Sequence, residues 1–117
     1  MCGFFFSSRE SDKNNFDLSE RIKKLLFLRG PDQQKTLDLE VGTFIFNRLA
    51  IIDVNERSSQ PMRSEDENII LMNNGEIYNY LEIKEKYLNN VTFKSKGDTE
   101  VFLRMWERFG STFFLIQ

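Results

Sequence analysis

The apolar residues of this chain are gathered into short runs of strand length, several of them built on phenylalanine. Phe4, Phe5 and Phe6 make one run, Phe44 and Phe46 anchor a second, and Phe113, Phe114 and Leu115 make a third. Runs this short, bounded by turn-forming residues, read as strands that seek burial, and they steer the chain towards a strand-dominated core. Residues 2–7 are expected to form a buried first strand, and 36–39 and 43–46 two more, separated by Gly42. Residues 49–54 and 68–72 are further apolar stretches of strand length.

Between these runs the period changes. Asp17 and Glu20 stand at the spacing of a capping box, and Leu18, Ile22, Leu25, Leu26 and Leu28 follow, so one amphipathic helix is predicted before Gly30 and Pro31 close it. Residues 55–63 read as a polar loop carrying Pro61, Asn73-Asn74-Gly75 as a turn, and 76–78 as renewed extended chain. Asn79 is placed to cap a helix running to Tyr87. Gly97-Asp98 opens a last helix with an apolar face of Val101, Phe102, Met105, Trp106 and Phe109, and Gly110 stops it. The outcome is mixed α/β with strands dominant, without internal repeats or a hinge-like composition.

A chain of 117 residues is one domain at most, able to bury roughly 60 to 70% of its unfolded surface. Its net charge of −2 gives no electrostatic reason to expect nucleic acid or a membrane surface as partner. One cysteine and no histidine leave neither an internal disulfide nor a Cys/His zinc set, so no metal is expected. With no basic, apolar leader and no run of about 18 apolar residues, a cytoplasmic soluble protein is the default expectation.

The single cysteine is Cys2, directly behind Met1. Removal of Met1 would give it a free α-amine beside its thiol. In unperturbed peptides those two groups titrate within about one pH unit of each other, so a proton passes between them at little cost. N-terminal nucleophiles that use their own amine as base are a known form of covalent catalysis, and without histidine no Cys-His pair can form. The competing reading is a small inert hydrophobe.

Further short motifs follow Cys2-Gly3-Phe4 in order: Arg29-Gly30-Pro31-Asp32, Asn47-Arg48-Leu49-Ala50-Ile51-Ile52-Asp53, Gln60-Pro61-Met62, Asn74-Gly75-Glu76-Ile77-Tyr78-Asn79 and Gly97-Asp98-Thr99-Glu100-Val101. Together they resemble the glutamine amidotransferase domain of glutamine-hydrolysing asparagine synthetases, over nearly all of residues 2–110. The resemblance implies a class II amidotransferase of the N-terminal-nucleophile hydrolase type: an α+β, four-layer αββα sandwich. Residues 2–117 would be a partial domain of that kind, incomplete at the C-terminus.

The resemblance also implies roles. Cys2 would attack the side-chain amide of L-glutamine and form a thioester. Asn74 and Gly75 would supply oxyanion-hole donors, Arg48 would grip the substrate α-carboxylate, and Glu76 and Asp98 would hold its α-ammonium group. The implied function is the glutaminase half of an asparagine synthetase, with no cofactor in this chain. ATP and Mg would belong to a synthetase domain or another amide-forming partner. Each residue has a plainer alternative: a hairpin turn at Asn74-Gly75, a helix cap at Asp98, a solvated strand residue at Glu76, a helix stop and turn at 29–32. Phe6, Leu28 and Gln33-Gln34-Lys35 depart from the family pattern without removing a catalytic group. Strand edges and apolar faces left open by an incomplete sandwich favour association, which leaves homo-oligomers open. A non-catalytic remnant or interaction module is the second functional expectation.

Overall fold

The computed structural model describes residues 2–9, 15–50 and 55–115. It is α+β with antiparallel sheets, and its contacts divide into two compact units, Met1–Ile51 and Ile52–Gln117. The first unit runs β1 (Gly3–Ser8), α1 (Asn15–Phe27), β2 (Gln33–Leu39) and β3 (Gly42–Arg48), with the strands ordered β1-β3-β2. β3 takes the central place and is the most buried of the three strands, with Ile45, Phe46 and Asn47 fully or almost fully buried.

Pairing fixes the two faces of this sheet. Gly3 lies opposite Asn47, Phe4 opposite Phe46, Phe5 opposite Ile45 and Phe6 opposite Phe44. Successive residues alternate between faces, so Gly3, Phe5, Ile45 and Asn47 share one face, and Phe4, Phe6, Phe44 and Phe46 share the other. α1 covers the first face: a Cβ built on Gly3 would come within 2.9 Å of Leu26 Cδ2. On the second face the Phe6 and Phe44 rings stack with centroids 4.6 Å apart.

Several expectations need adjusting in this unit. The first strand forms as expected but is an edge strand and only partly buried, since Phe4 and Phe6 are 48% and 47% exposed. Gly42 is not a spacer but the first residue of β3, after a two-residue turn at Glu40-Val41. Its φ of +149° and the 2.1 Å from an added Cβ to Ser7 O both require glycine there. α1 starts at Asn15, so Asp17 lies inside the first turn, where its charge favours the helix dipole, and not at the cap. Leu49 and Ala50 continue past β3 without joining a strand, and the rest of the expected run, residues 51–54, lies outside the described residues.

The second unit contains a short hairpin, β4 (Met62–Arg63) with β5 (Ile70–Leu71), then α2 (Tyr80–Tyr87) and α3 (Asp98–Phe109). The 55–63 stretch is therefore not all loop: it carries a 3-10 turn at Glu56–Ser58 and ends in β4. The expected buried strand at 68–72 shrinks to β5, half-buried. Asn74-Gly75 does not close a hairpin, and residues 76–78 form no strand. Asn79 precedes α2 as expected, yet its side chain makes no capping bond; its carbonyl accepts from Ile83 N–H instead. Phe113, Phe114 and Leu115 are not strand-like but sit in a 3-10 segment, Gly110–Leu115, where Phe113 packs edge-on against Phe102. Leu88, Val101 and Met105 are the buried centre, ringed by residues including Ile83, Phe93 and Phe109.

One buried carboxylate ties α3 to the chain before it. Glu100 is only 3% exposed and accepts from Lys94 N at 2.9 Å, Ser95 N at 2.6 Å and Ser95 Oγ at 2.6 Å. Arg104, one turn on, lies 3.4 Å from it. Burial works against the charged guanidinium, but the carboxylates of Glu107, Glu100 and Glu65 outweigh that and hold Arg104 above its ordinary pKa. Glu100→Gln is expected to lower the unfolding free energy by about 1 to 3 kcal/mol, because an amide cannot accept at both oxygen positions. Urea unfolding of the variant checks this.

Candidate active site

The six candidate residues divide between the units: Cys2 and Arg48 belong to the first, Asn74, Gly75, Glu76 and Asp98 to the second. In the first unit, extending the Gly3–Asn47 register by one residue sets Cys2 across from Arg48, and β2 sets Gln33 on the other side of Arg48. The sulfur is held by main chain. Leu49 N–H donates to Cys2 Sγ at 3.4 Å, and the thiol lies 3.6 Å from Leu49 O, its acceptor. The structure thus brings Cys2 and Arg48 together at one end of the sheet. Arg48 is 7% exposed, a buried guanidinium at the mouth of an apolar strand.

Residues 29–32 turn out to brace this end. Arg29 Nε donates to Cys2 O at 3.3 Å. Asp32 N donates to Arg48 O at 3.0 Å, and Asp32 Oδ2 accepts from Ala50 N at 2.8 Å. Gly30 lies flat against β3: an added Cβ would stand 2.4 Å from Asn47 O and 2.7 Å from Arg48 C. Asn47, with no exposed surface, closes the contact by donating from Nδ2 to Gly30 O at 3.3 Å and accepting from Gln34 Nε2 at 3.3 Å. A helix stop and turn describes this segment incompletely, because its polar groups are spent on the strand that carries Arg48 and flanks Cys2. A buried asparagine inside an apolar run was the available signal.

In the second unit Asn74, Gly75 and Glu76 form an exposed arc between β5 and α2. Asp98 is buried at the first position of α3, and its Oδ2 accepts from Ile77 N at 2.8 Å. Asp98 therefore does not cap its own helix; it fastens the end of the arc that carries Glu76. Gly75 is not demanded by its surroundings, since the nearest atom to an added Cβ is Asn73 Oδ1 at 3.4 Å.

Two of the departures from the family pattern lie outside the strand positions level with Cys2 and Arg48. Phe6 lies four residues along β1 from Cys2, and the Leu28 side chain is 86% exposed at the end of α1. Gln33 differs, being level with Arg48 in the sheet.

A family model for the glutamine amidotransferase domain matches residues 1–115. The chain belongs to the glutamine amidotransferase family. Among curated relatives, asparagine synthetase [glutamine-hydrolyzing] 2 of Bacillus subtilis is 37% identical over 118 residues, covering 97% of this chain and 15% of that protein. Putative asparagine synthetase [glutamine-hydrolyzing] 2 of Methanocaldococcus jannaschii is 36% identical over 94% of the chain and 24% of its own length. Asparagine synthetase [glutamine-hydrolyzing] 1 of Saccharomyces cerevisiae is 33% identical over 91% of the chain and 18% of its own length. This amidotransferase chain thus spans less than a quarter of the length of these three relatives. Among its described residues no helix is long and apolar enough to cross a membrane.

Proposed function

We propose that this chain hydrolyses L-glutamine to glutamate and ammonia through a thioester on Cys2, as the glutaminase half of a glutamine-dependent asparagine synthetase. The observation that carries the reading is the setting of Cys2 in a glutamine amidotransferase chain: sulfur at a sheet end, bonded to Leu49 main chain, with a buried arginine across from it. Met1 is removed, and the freed amine takes the thiol proton as Sγ attacks the side-chain amide carbon. A carbon–sulfur bond forms, the carbon–nitrogen bond breaks, and the amine passes its proton to the departing ammonia. Water then cleaves the thioester, giving glutamate and restoring the thiol.

The other candidates take the roles their chemistry suits. Asn74 Nδ2–H and Gly75 N–H stabilise the oxygen that gains charge in each tetrahedral state. The open space beside Gly75 leaves room for a ligand to come close to its main chain. Arg48 offers two parallel donors to the α-carboxylate, and Glu76 and Asp98 supply the negative charge that the α-ammonium group calls for. The domain belongs, in this reading, to a four-layer N-terminal-nucleophile fold in the cytoplasm. A synthetase partner that binds ATP and Mg activates the acceptor and consumes the ammonia.

Glutamate release from glutamine by the purified chain with Met1 removed, verified by mass, tests the proposal; an inert, well-folded sample would refute it. Arg48→Lys is expected to raise KM for glutamine about 10- to 100-fold with a smaller change in kcat, because a point charge cannot reproduce the two-pronged contact. Steady-state kinetics over a wide range of glutamine concentration checks that split.

A further inference from the structure

The arc of Asn74, Gly75 and Glu76 owes its course to side chains and not to a strand ladder. At its start, buried Gln60 turns both ends of its carboxamide to one neighbour: Oε1 accepts from Asn73 N at 2.5 Å and Nε2 donates to Asn73 O at 3.2 Å. That is the double bond pattern of two paired strand residues, supplied by a side chain. Thr99 Oγ1, 3.5 Å from Nε2, backs the carboxamide from α3. Asn73 Nδ2 then donates to Gly75 O at 3.3 Å, and Asp98 fixes Ile77 at the far end. Gln60 is thus the first link in a chain of contacts that sets how the 73–75 backbone is turned.

We propose that Gln60 is a positioning residue for the glutamine reaction: by gripping both main-chain groups of Asn73, it aims Asn74 and the Gly75 N–H at the developing oxyanion. The proposal rests on the functional reading above. Glutamine is the residue the geometry calls for. It presents a donor and an acceptor in one plane at the right reach, whereas an ionised glutamate can accept from Asn73 N but sets an oxygen against Asn73 O. An oxyanion donor acts in the transition state and hardly at all on bound substrate, so misaiming it lowers kcat and spares KM.

The test compares wild type, Gln60→Glu and Gln60→Met in glutamine hydrolysis, with melting temperatures measured alongside. Both variants are expected to lose about 10- to 100-fold in kcat, with KM for glutamine changed less than about threefold. Gln60→Glu carries a further signature. Burial and the facing Asn73 O hold the new carboxyl above the ordinary glutamate value, so as pH falls from about 7 to about 4.5 it takes up a proton, the donor to Asn73 O returns and kcat relative to wild type rises, whereas that ratio stays flat for Gln60→Met. Wild-type kcat in either variant, or a flat ratio in Gln60→Glu, overturns the proposal; if one variant does not fold, the kcat-against-KM split in the other decides it. A wild-type chain that releases no glutamate overturns the functional reading itself, an outcome distinct from active wild type with unaffected variants.

Discussion

Cys2→Ala is expected to abolish glutamate release, by a factor of about 1,000 or more, while leaving the melting temperature within a few degrees of wild type. The sulfur is half-buried and meets the protein through two long contacts to Leu49, so its removal costs the fold little. Alanine is also small enough at position 2 to let Met1 be removed, which keeps the free amine constant and isolates the thiol as the variable. Glutamate is measured enzymatically, with intact mass confirming the N-terminus of each sample. Activity retained by the alanine variant would end the thioester mechanism whatever the family membership says.

Gly30→Ala is expected to lower stability by about 3 kcal/mol or more, read as a fall in melting temperature of roughly 10 °C. The added methyl group would stand 2.4 Å from Asn47 O and 2.5 Å from Asn47 C, both main-chain atoms that cannot swing aside as a flexible side chain would. Either the turn after α1 or the middle strand must shift. Because Asp32 holds Arg48 O and Ala50 N from the same segment, the shift travels to the strand end where Cys2 lies. Activity is therefore expected to fall further than the unfolded fraction accounts for, and glutaminase assays well below the melting temperature check this.

Local patterns were legible where one physical cause dominates. The helical spacing from Leu18 to Leu26 and the apolar face of α3 are one-sided burial signals, and both helices formed, with α1 starting earlier than its apparent cap. Phe44 and Phe46 fell on a strand, whereas Phe113 and Phe114 did not, because they follow Gly110 and pack as rings against Phe102 and Trp106. Short apolar runs do not distinguish those two solutions. Asn74-Gly75 had the composition of a hairpin, but the residues following it do not return as a strand.

The candidate site was legible as residue types and not as supports. Cys2 and Arg48 are 46 positions apart in sequence, and only the β1–β3 register sets them level. Asp98 announced itself at a helix start, yet the partner it found is Ile77 N, on a segment 21 residues earlier. Gln60, Asn47 and Asp32 gave weaker signals still, since a side chain that bonds main chain elsewhere leaves no spacing rule behind. Their contacts exist only once distant segments have met.

The two bonds to the Cys2 sulfur come from an amide and a carbonyl that every amino acid except proline would provide at position 49. The nucleophile's immediate seat is therefore indifferent to which side chain that position carries. Sequence drift there can reshape what surrounds the thiol without unseating it, so descendants of this chain could change the contour beside their reactive atom and keep the atom in place.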